Sequence, residues 1–232
     1  MDLLADRSRT EAAAAIAGTW LAFLLALCLA LPQPPDLAYV ALGAFVGAVL
    51  IVAGFSAASR WRRVSVHASL ARLRFGAASL LAGAALGGAL LSVLVAFAEA
   101  EPRLRARFAG RLAEPWWRPW ALGFESSILE EVVFRLFAMG VLGWIALRIV
   151  RQDRVATAIA LGASSLLFAV VHLPAWSSAT PLNTALVVGV LLLNGLGGLL
   201  LGWVFWRWGL PYAILCHFAG DVVIQSLAPR LL

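Results

Sequence analysis

The chain has 232 residues, 62% of them hydrophobic and 13% charged, with a mean hydropathy of +0.92. A soluble domain is about 45–50% apolar and about 25% charged, and a chain of this size cannot hide such a surplus in one water-facing core, which excludes an ordinary soluble protein and points to the bilayer as solvent. The net charge is +6 and every one of the 18 basic residues is Arg; because the arginines outside the fourth span sit at the ends of apolar segments, where they anchor helices at headgroup level, nucleic acid is not an expected partner.

The first apolar run, residues 12–31, is longer than the hydrophobic part of a signal peptide and follows a segment that is not clearly basic. Leu27 is too bulky for the position before a lipidated Cys28. A retained first membrane span is therefore expected. A spanning helix needs about 20 mostly apolar residues, and six more candidates follow, at 37–58, 75–98, 121–149, 156–173, 182–206 and 210–227. The runs are continuously apolar and do not alternate as barrel strands would. The expected fold is all-α: a polytopic transmembrane helical bundle of about seven spans. It forms one integral membrane domain over residues 1–232, with a motif-bearing core at residues 121–228.

The linkers fit this division. Residues 32–36 read as a tight turn, and residues 60–74 carry Arg60, Arg62, Arg63, Arg72 and Arg74. Residues 99–120 hold five more arginines together with Trp116, Trp117 and Trp120, aromatics that favour the membrane–water interface. That segment reads equally as an amphipathic helix on the membrane surface and as a solvated loop. Trp203, Trp206 and Trp208 mark another interface. The pairs Gly83/Gly87 and Gly198/Gly202 have the spacing that lets helices approach closely, read here as packing within one bundle. Cys28 and Cys216 lie in apolar runs without metal or redox spacing and read as inert. Arginine counts favour a cytoplasmic N-terminus, although the two richest loops flank the third span and cannot share a side.

Ionisable residues inside spans are costly and mark function. The fourth span carries Glu130, Glu131 and Arg135, the fifth His172, and the seventh His217 and Asp221. Glu131 and Arg135 are i,i+4 neighbours and can pair. Glu130 is rotated by about 100° from Glu131 and can face a central cavity. It lies ten residues beyond Trp120, which is about 15 Å along a helix and well into the hydrocarbon zone. Glu130 is thus suited to acid–base work, while Glu131, beside Arg135, braces the helix as an ion. His217 and Asp221, again i,i+4, can aim at one point. One intramembrane His is readily structural; two, joined by carboxylates on separate helices, are not. His67, in the Arg-rich loop, reads as solvated.

Glu130-Glu131-x-x-x-Arg135, Phe168-x-x-x-His172 and His217-x-x-x-Asp221, in this order and each on a span, resemble the three motifs of the CPBP intramembrane proteases. These are relatives of the eukaryotic CAAX prenyl endopeptidase and of bacterial bacteriocin-processing and immunity proteins. The match runs from Glu130 to Asp221. The resemblance implies a helical membrane endopeptidase acting on a membrane-associated peptide or protein, in a bacterial inner membrane. It also implies roles: Glu130 and His172 activate water, His217 and residue 221 stabilise the oxyanion, and Glu131 and Arg135 shape the site. The family often has Asn where this chain has Asp221, and an ionised carboxylate would repel an oxyanion. Asp221 can serve if protonated, by orienting His217, or as a metal ligand.

Zinc is an open alternative, with Glu130, His172, His217 and Asp221 as candidate ligands, although no His-Glu-x-x-His spacing is present. The residues favour Glu/His-activated water. Two other functions compete. A proton-coupled transporter would use the same buried groups, but the chain has no convincing internal repeat. A catalytically silent binding or immunity protein would not need Glu130, His172 and His217. A protease needs a polar cavity between the fourth, fifth and seventh spans. The substrate, prenylated or not, is not readable.

Overall fold

The computed structural model describes residues 2–30, 36–61, 73–100, 105, 108, 110–177 and 183–232. Seven long helices account for most of them, with no strand among the described residues: α1 (Asp2–Ala30), α2 (Leu37–Trp61), α3 (Leu73–Ala100), α4 (Arg118–Val150), α5 (Asp153–Ser177, interrupted by a turn at His172), α6 (Thr184–Trp208) and α7 (Leu210–Leu231). Six are long and apolar enough to cross a membrane, and the apolar part of α1 is Ala13–Cys28. The bundle therefore matches the expected seven spans. The fifth and seventh run on beyond their sequence boundaries, to Ser177 and Leu231. The turn at 32–35 and the loop bearing Arg62, Arg63, His67 and Arg72 lie outside the described residues.

Helix ends follow local chemistry. Asp36 opens α2 by accepting the Ala38 N–H at 2.8 Å, and Asn183 caps α6 through the Leu186 N–H at 2.8 Å. Pro119 occupies the first turn of α4, where a missing N–H costs nothing. Gly209, at φ 104°, is the one residue between α6 and α7. A side chain there would be strained, and the glycine lets the last span fold straight back against its predecessor.

Of segment 99–120, residues 101–104, 106, 107 and 109 lie outside the described residues, and Arg105 and Phe108 are helical. Gly110–Ala113 is a short 3-10 turn, and Phe108 is buried in a cluster with Leu91, Leu94, Leu186 and Val190. The chain is thus tucked against the ends of α3, α6 and α7 before α4 begins.

Close backbone approach organises the core. A Cβ on Gly83 would collide with the Cys216 carbonyl, and one on Gly87 would sit 2.6 Å from the Gly220 carbonyl oxygen. α3 and α7 therefore pack backbone to backbone. Gly198 faces Ser165 of α5 in the same manner, at 3.1 Å. The small-residue pairs are intramolecular contacts, as their spacing suggested. Inside α4, Glu131–Met139 winds as a π-helix flanked by α-helical turns. Such wider segments are uncommon and gather at functional sites. This one begins at the residue after Glu130 and includes Arg135.

Candidate active site

The motif residues from α4, α5 and α7 meet around one point. Adjacent in sequence, Glu130 and Glu131 part company as the helix turns. Glu131 is completely buried, whereas the side chain of Glu130 is 27% exposed and lines a cavity of about 260 Å³. Its Oε1 lies 3.8 Å from His172 Nε2, and its Oε2 lies 3.7 Å from His217 Nε2. His217 Nε2 is also 3.7 Å from Asp221 Oδ1. His172, His217 and Asp221 line the same cavity. The expected polar cavity between the fourth, fifth and seventh spans is present, and the third and sixth complete its wall through Leu86, Leu90 and Asn194.

Hydrogen bonding sets the orientation of both imidazoles. His172 Nδ1 lies 2.7 Å from the Phe168 carbonyl oxygen. A carbonyl only accepts, so Nδ1 carries the proton, and in the neutral ring Nε2 presents its lone pair toward Glu130. His217 Nδ1 lies 3.0 Å from Glu131 Oε1 in a buried contact. With Glu131 ionised, Nδ1–H is the donor, and Nε2 is turned toward Glu130 and Asp221.

Arg135 completes the support. Its Nε is 3.4 Å from Glu131 Oε2, both side chains being wholly buried. Its guanidinium carbon sits 4.6 Å from the centre of the Phe168 ring, a cation–π contact strengthened by desolvation. Phe168 packs edge-on against Phe134 and tilts against the His172 ring at 4.6 Å. The Phe-x-x-x-His pattern thus has a physical content. One residue covers the buried cation with its ring and fixes the histidine with its carbonyl.

Glu131 does more than the sequence suggested. The i,i+4 spacing gave its pairing with Arg135 but not its bond to His217, which joins residues 86 apart in the chain. Four further polar residues at the cavity were not singled out as site residues from sequence: Arg111, Ser126, Asn194 and Gln225. Ser126 hydrogen-bonds Asp221, Asn194 donates to the Val190 carbonyl at 2.9 Å, and Arg111 reaches Gln225. For Ser126, Asn194 and Gln225 the only sequence signal is a polar side chain within or beside an apolar run. Cys216 also borders the cavity but is fully buried.

The four donors that the sequence offered to a metal, Glu130, His172, His217 and Asp221, all line the cavity. Among the described residues, no three His, Cys, Asp or Glu side chains form a group able to hold a metal ion. Each histidine has its Nδ1 engaged by a protein oxygen and its Nε2 turned toward Glu130. Glu130 stands 3.7–3.8 Å from the Nε2 of each histidine, a separation that a water between them can bridge.

Residues 112–223 match the family model described as type II CAAX prenyl endopeptidase Rce1-like. No curated protein and no solved structure matches the chain. The matched segment, just under half of the chain, contains Ser126, both glutamates, Arg135, both cavity histidines and Asp221, and over it the chain is similar to the Rce1-like type II CAAX prenyl endopeptidases.

Proposed function

We propose that the protein is an intramembrane endopeptidase that hydrolyses a peptide bond in a membrane-associated peptide or protein with a Glu130/His172-activated water. The observation that carries this reading is the convergence of Glu130, His172 and His217 at one cavity inside the bundle, with Glu130 within 4 Å of a ring nitrogen of each histidine. The similarity of residues 112–223 to the Rce1-like type II CAAX prenyl endopeptidase family model supports the same chemistry at a coarser level.

Water bound between Glu130 and His172 gives up a proton to one of them as its oxygen attacks the substrate carbonyl carbon. The carbonyl π electrons move to oxygen, and the oxyanion faces Nε2–H of His217 in its doubly protonated form, whose Nδ1–H is held by Glu131. When the C–N bond breaks, the oxyanion collapses back to a carbonyl. The proton held by Glu130 or His172 passes to the departing amine. Glu131 and Arg135 touch no reacting atom; they hold the His217 ring with its Nδ1–H toward Glu131. Buried, fixed dipoles of this kind act strongly because they need no reorganisation during reaction.

The test is cleavage of a panel of membrane-tethered peptides by purified protein. Glu130→Gln keeps the shape but cannot take a proton, and it should lower kcat by about 10²–10⁴-fold, the usual worth of a general base. His172→Gln should fall in the same range. Chelator should leave the wild-type rate unchanged. Undiminished cleavage by Glu130→Gln would refute the mechanism. A folded wild type inactive on a broad panel would favour a binding or transport role.

A further inference from the structure

Asp221 stands where relatives often carry an amide, and the contacts around it bear on how an acid can work there. Ser126 lies one turn before Glu130 on α4 and lines the same cavity. Its Oγ hydrogen-bonds Asp221 Oδ2 and lies 2.8 Å from the Leu122 carbonyl oxygen. Gly123, three residues earlier, makes the approach feasible: a Cβ there would already sit 3.4 Å from Asp221 Cβ and 3.3 Å from a Val222 methyl. The two helices are close enough for a short hydroxyl side chain to span the gap.

A hydroxyl has one proton to give and two lone pairs to receive. If Asp221 is ionised, Ser126 donates to it. If Asp221 is protonated, it donates to Ser126 Oγ, and the serine proton goes to Leu122. In both arrangements Oδ2 is engaged by Ser126. Oδ1 is then the oxygen turned toward His217 Nε2, at 3.7 Å. The other side of that ring is already fixed by Glu131 at Nδ1.

Building on the proteolytic reading above, we propose that Ser126 is a positioning residue: it holds Asp221 by one carboxylate oxygen so that the other faces His217, and His217 rather than residue 221 meets the oxyanion. Asp221 in this chain serves the imidazole. The Asp-for-Asn exchange is then an arrangement that includes α4, and Ser126 acts only through Asp221.

That dependence is measurable as a double-mutant cycle. Ser126→Ala should lower kcat on the cleaved tethered peptide by about 10–100-fold, the range for a slightly misplaced group, with KM within about twofold. Ser126→Thr, which keeps the hydroxyl, should recover most of the loss. In the Asp221→Ala background, Ser126→Ala should have no further effect, because coupled residues are not additive. Losses that multiply, or an unchanged kcat in Ser126→Ala, overturn the proposal. A second readout does not depend on cleavage. In protein labelled with ¹⁵N histidine in detergent, the His217 Nε2 resonance should move in Ser126→Ala and stay put when that change is added to Asp221→Ala. An unmoved resonance in the single variant refutes the positioning role even if no peptide is cut. Wild type failing to cleave while the resonance moves as expected would refute the protease reading and leave the Ser126–Asp221–His217 linkage standing.

Discussion

Two adjacent glutamates differ here only in which way the helix turns them, and that difference separates stability from chemistry. Glu131 and Arg135 are wholly buried and face each other at 3.4 Å. Removing one partner of such a pair strands a charge and costs about 3–5 kcal/mol, whereas replacing both by apolar residues is often neutral. Glu131→Leu and Arg135→Leu alone should each lower the thermal unfolding temperature in detergent markedly. The double variant Glu131→Leu/Arg135→Leu should recover much of that loss, yet stay inactive, because His217 Nδ1 has lost its acceptor. A double variant as unstable as the singles would show that the pair does not act as a unit. At this scale the sequence was informative within each helix and silent between helices. The Glu131–Arg135 pairing follows from i,i+4 geometry. The Glu131–His217 and Ser126–Asp221 bonds depend on how α7 lies against α4, and no spacing within either helix encodes that.

Those bonds in turn depend on α7 being pressed into place by α3, and this is where small residues matter. Gly87 faces the Gly220 backbone, with a Cβ position 2.6 Å from its carbonyl oxygen. Gly88, the next residue, faces open space. Backbone cannot yield as a flexible side chain can, so Gly87→Val should push α7 outward at a cost of about 1–3 kcal/mol or more, as overpacking does. His217 and Asp221 would move with it, and peptide cleavage should fall far more than in Gly88→Val, which carries the same side chain on the same helix. Equal activity in the two variants would remove the close packing from the account of the site. The spans themselves were readable because continuous apolar runs of this length have few other uses. The π-helical winding of Glu131–Met139 was not. Apart from Glu131 and Arg135 its residues are apolar, and what marks the segment is backbone hydrogen bonding, which composition does not report.

At the scale of the whole molecule, charge is distributed unevenly between the two ends of the bundle. With seven spans, Arg60, Arg74, Arg148, Arg151, Arg154 and Arg207 fall at one end, and Arg105, Arg111, Arg118 and Arg230 at the other. At the second end the charge is partly offset, since Arg105 pairs with Glu99 and Arg118 lies 4.0 Å from Glu114. Arginine near span ends is retained on the cytoplasmic side, so the end bearing Arg151 is expected to face the cytoplasm. Arg111, Gln225 and the adjoining part of the cavity would then open toward the other face. Arg151 and Trp116 are both exposed and lie at opposite ends of α4, which makes them suitable reporters. In a chain with Cys28→Ala and Cys216→Ala, a membrane-impermeant thiol reagent added to intact cells should label Trp116→Cys and spare Arg151→Cys until the membrane is opened. The reverse pattern would turn the molecule over. It would place the cavity mouth at the cytoplasmic surface, and any substrate would have to present its scissile bond from that side. Because the two reporters bracket a single helix, the result holds whether or not α1, whose apolar part is only Ala13–Cys28, crosses the bilayer fully.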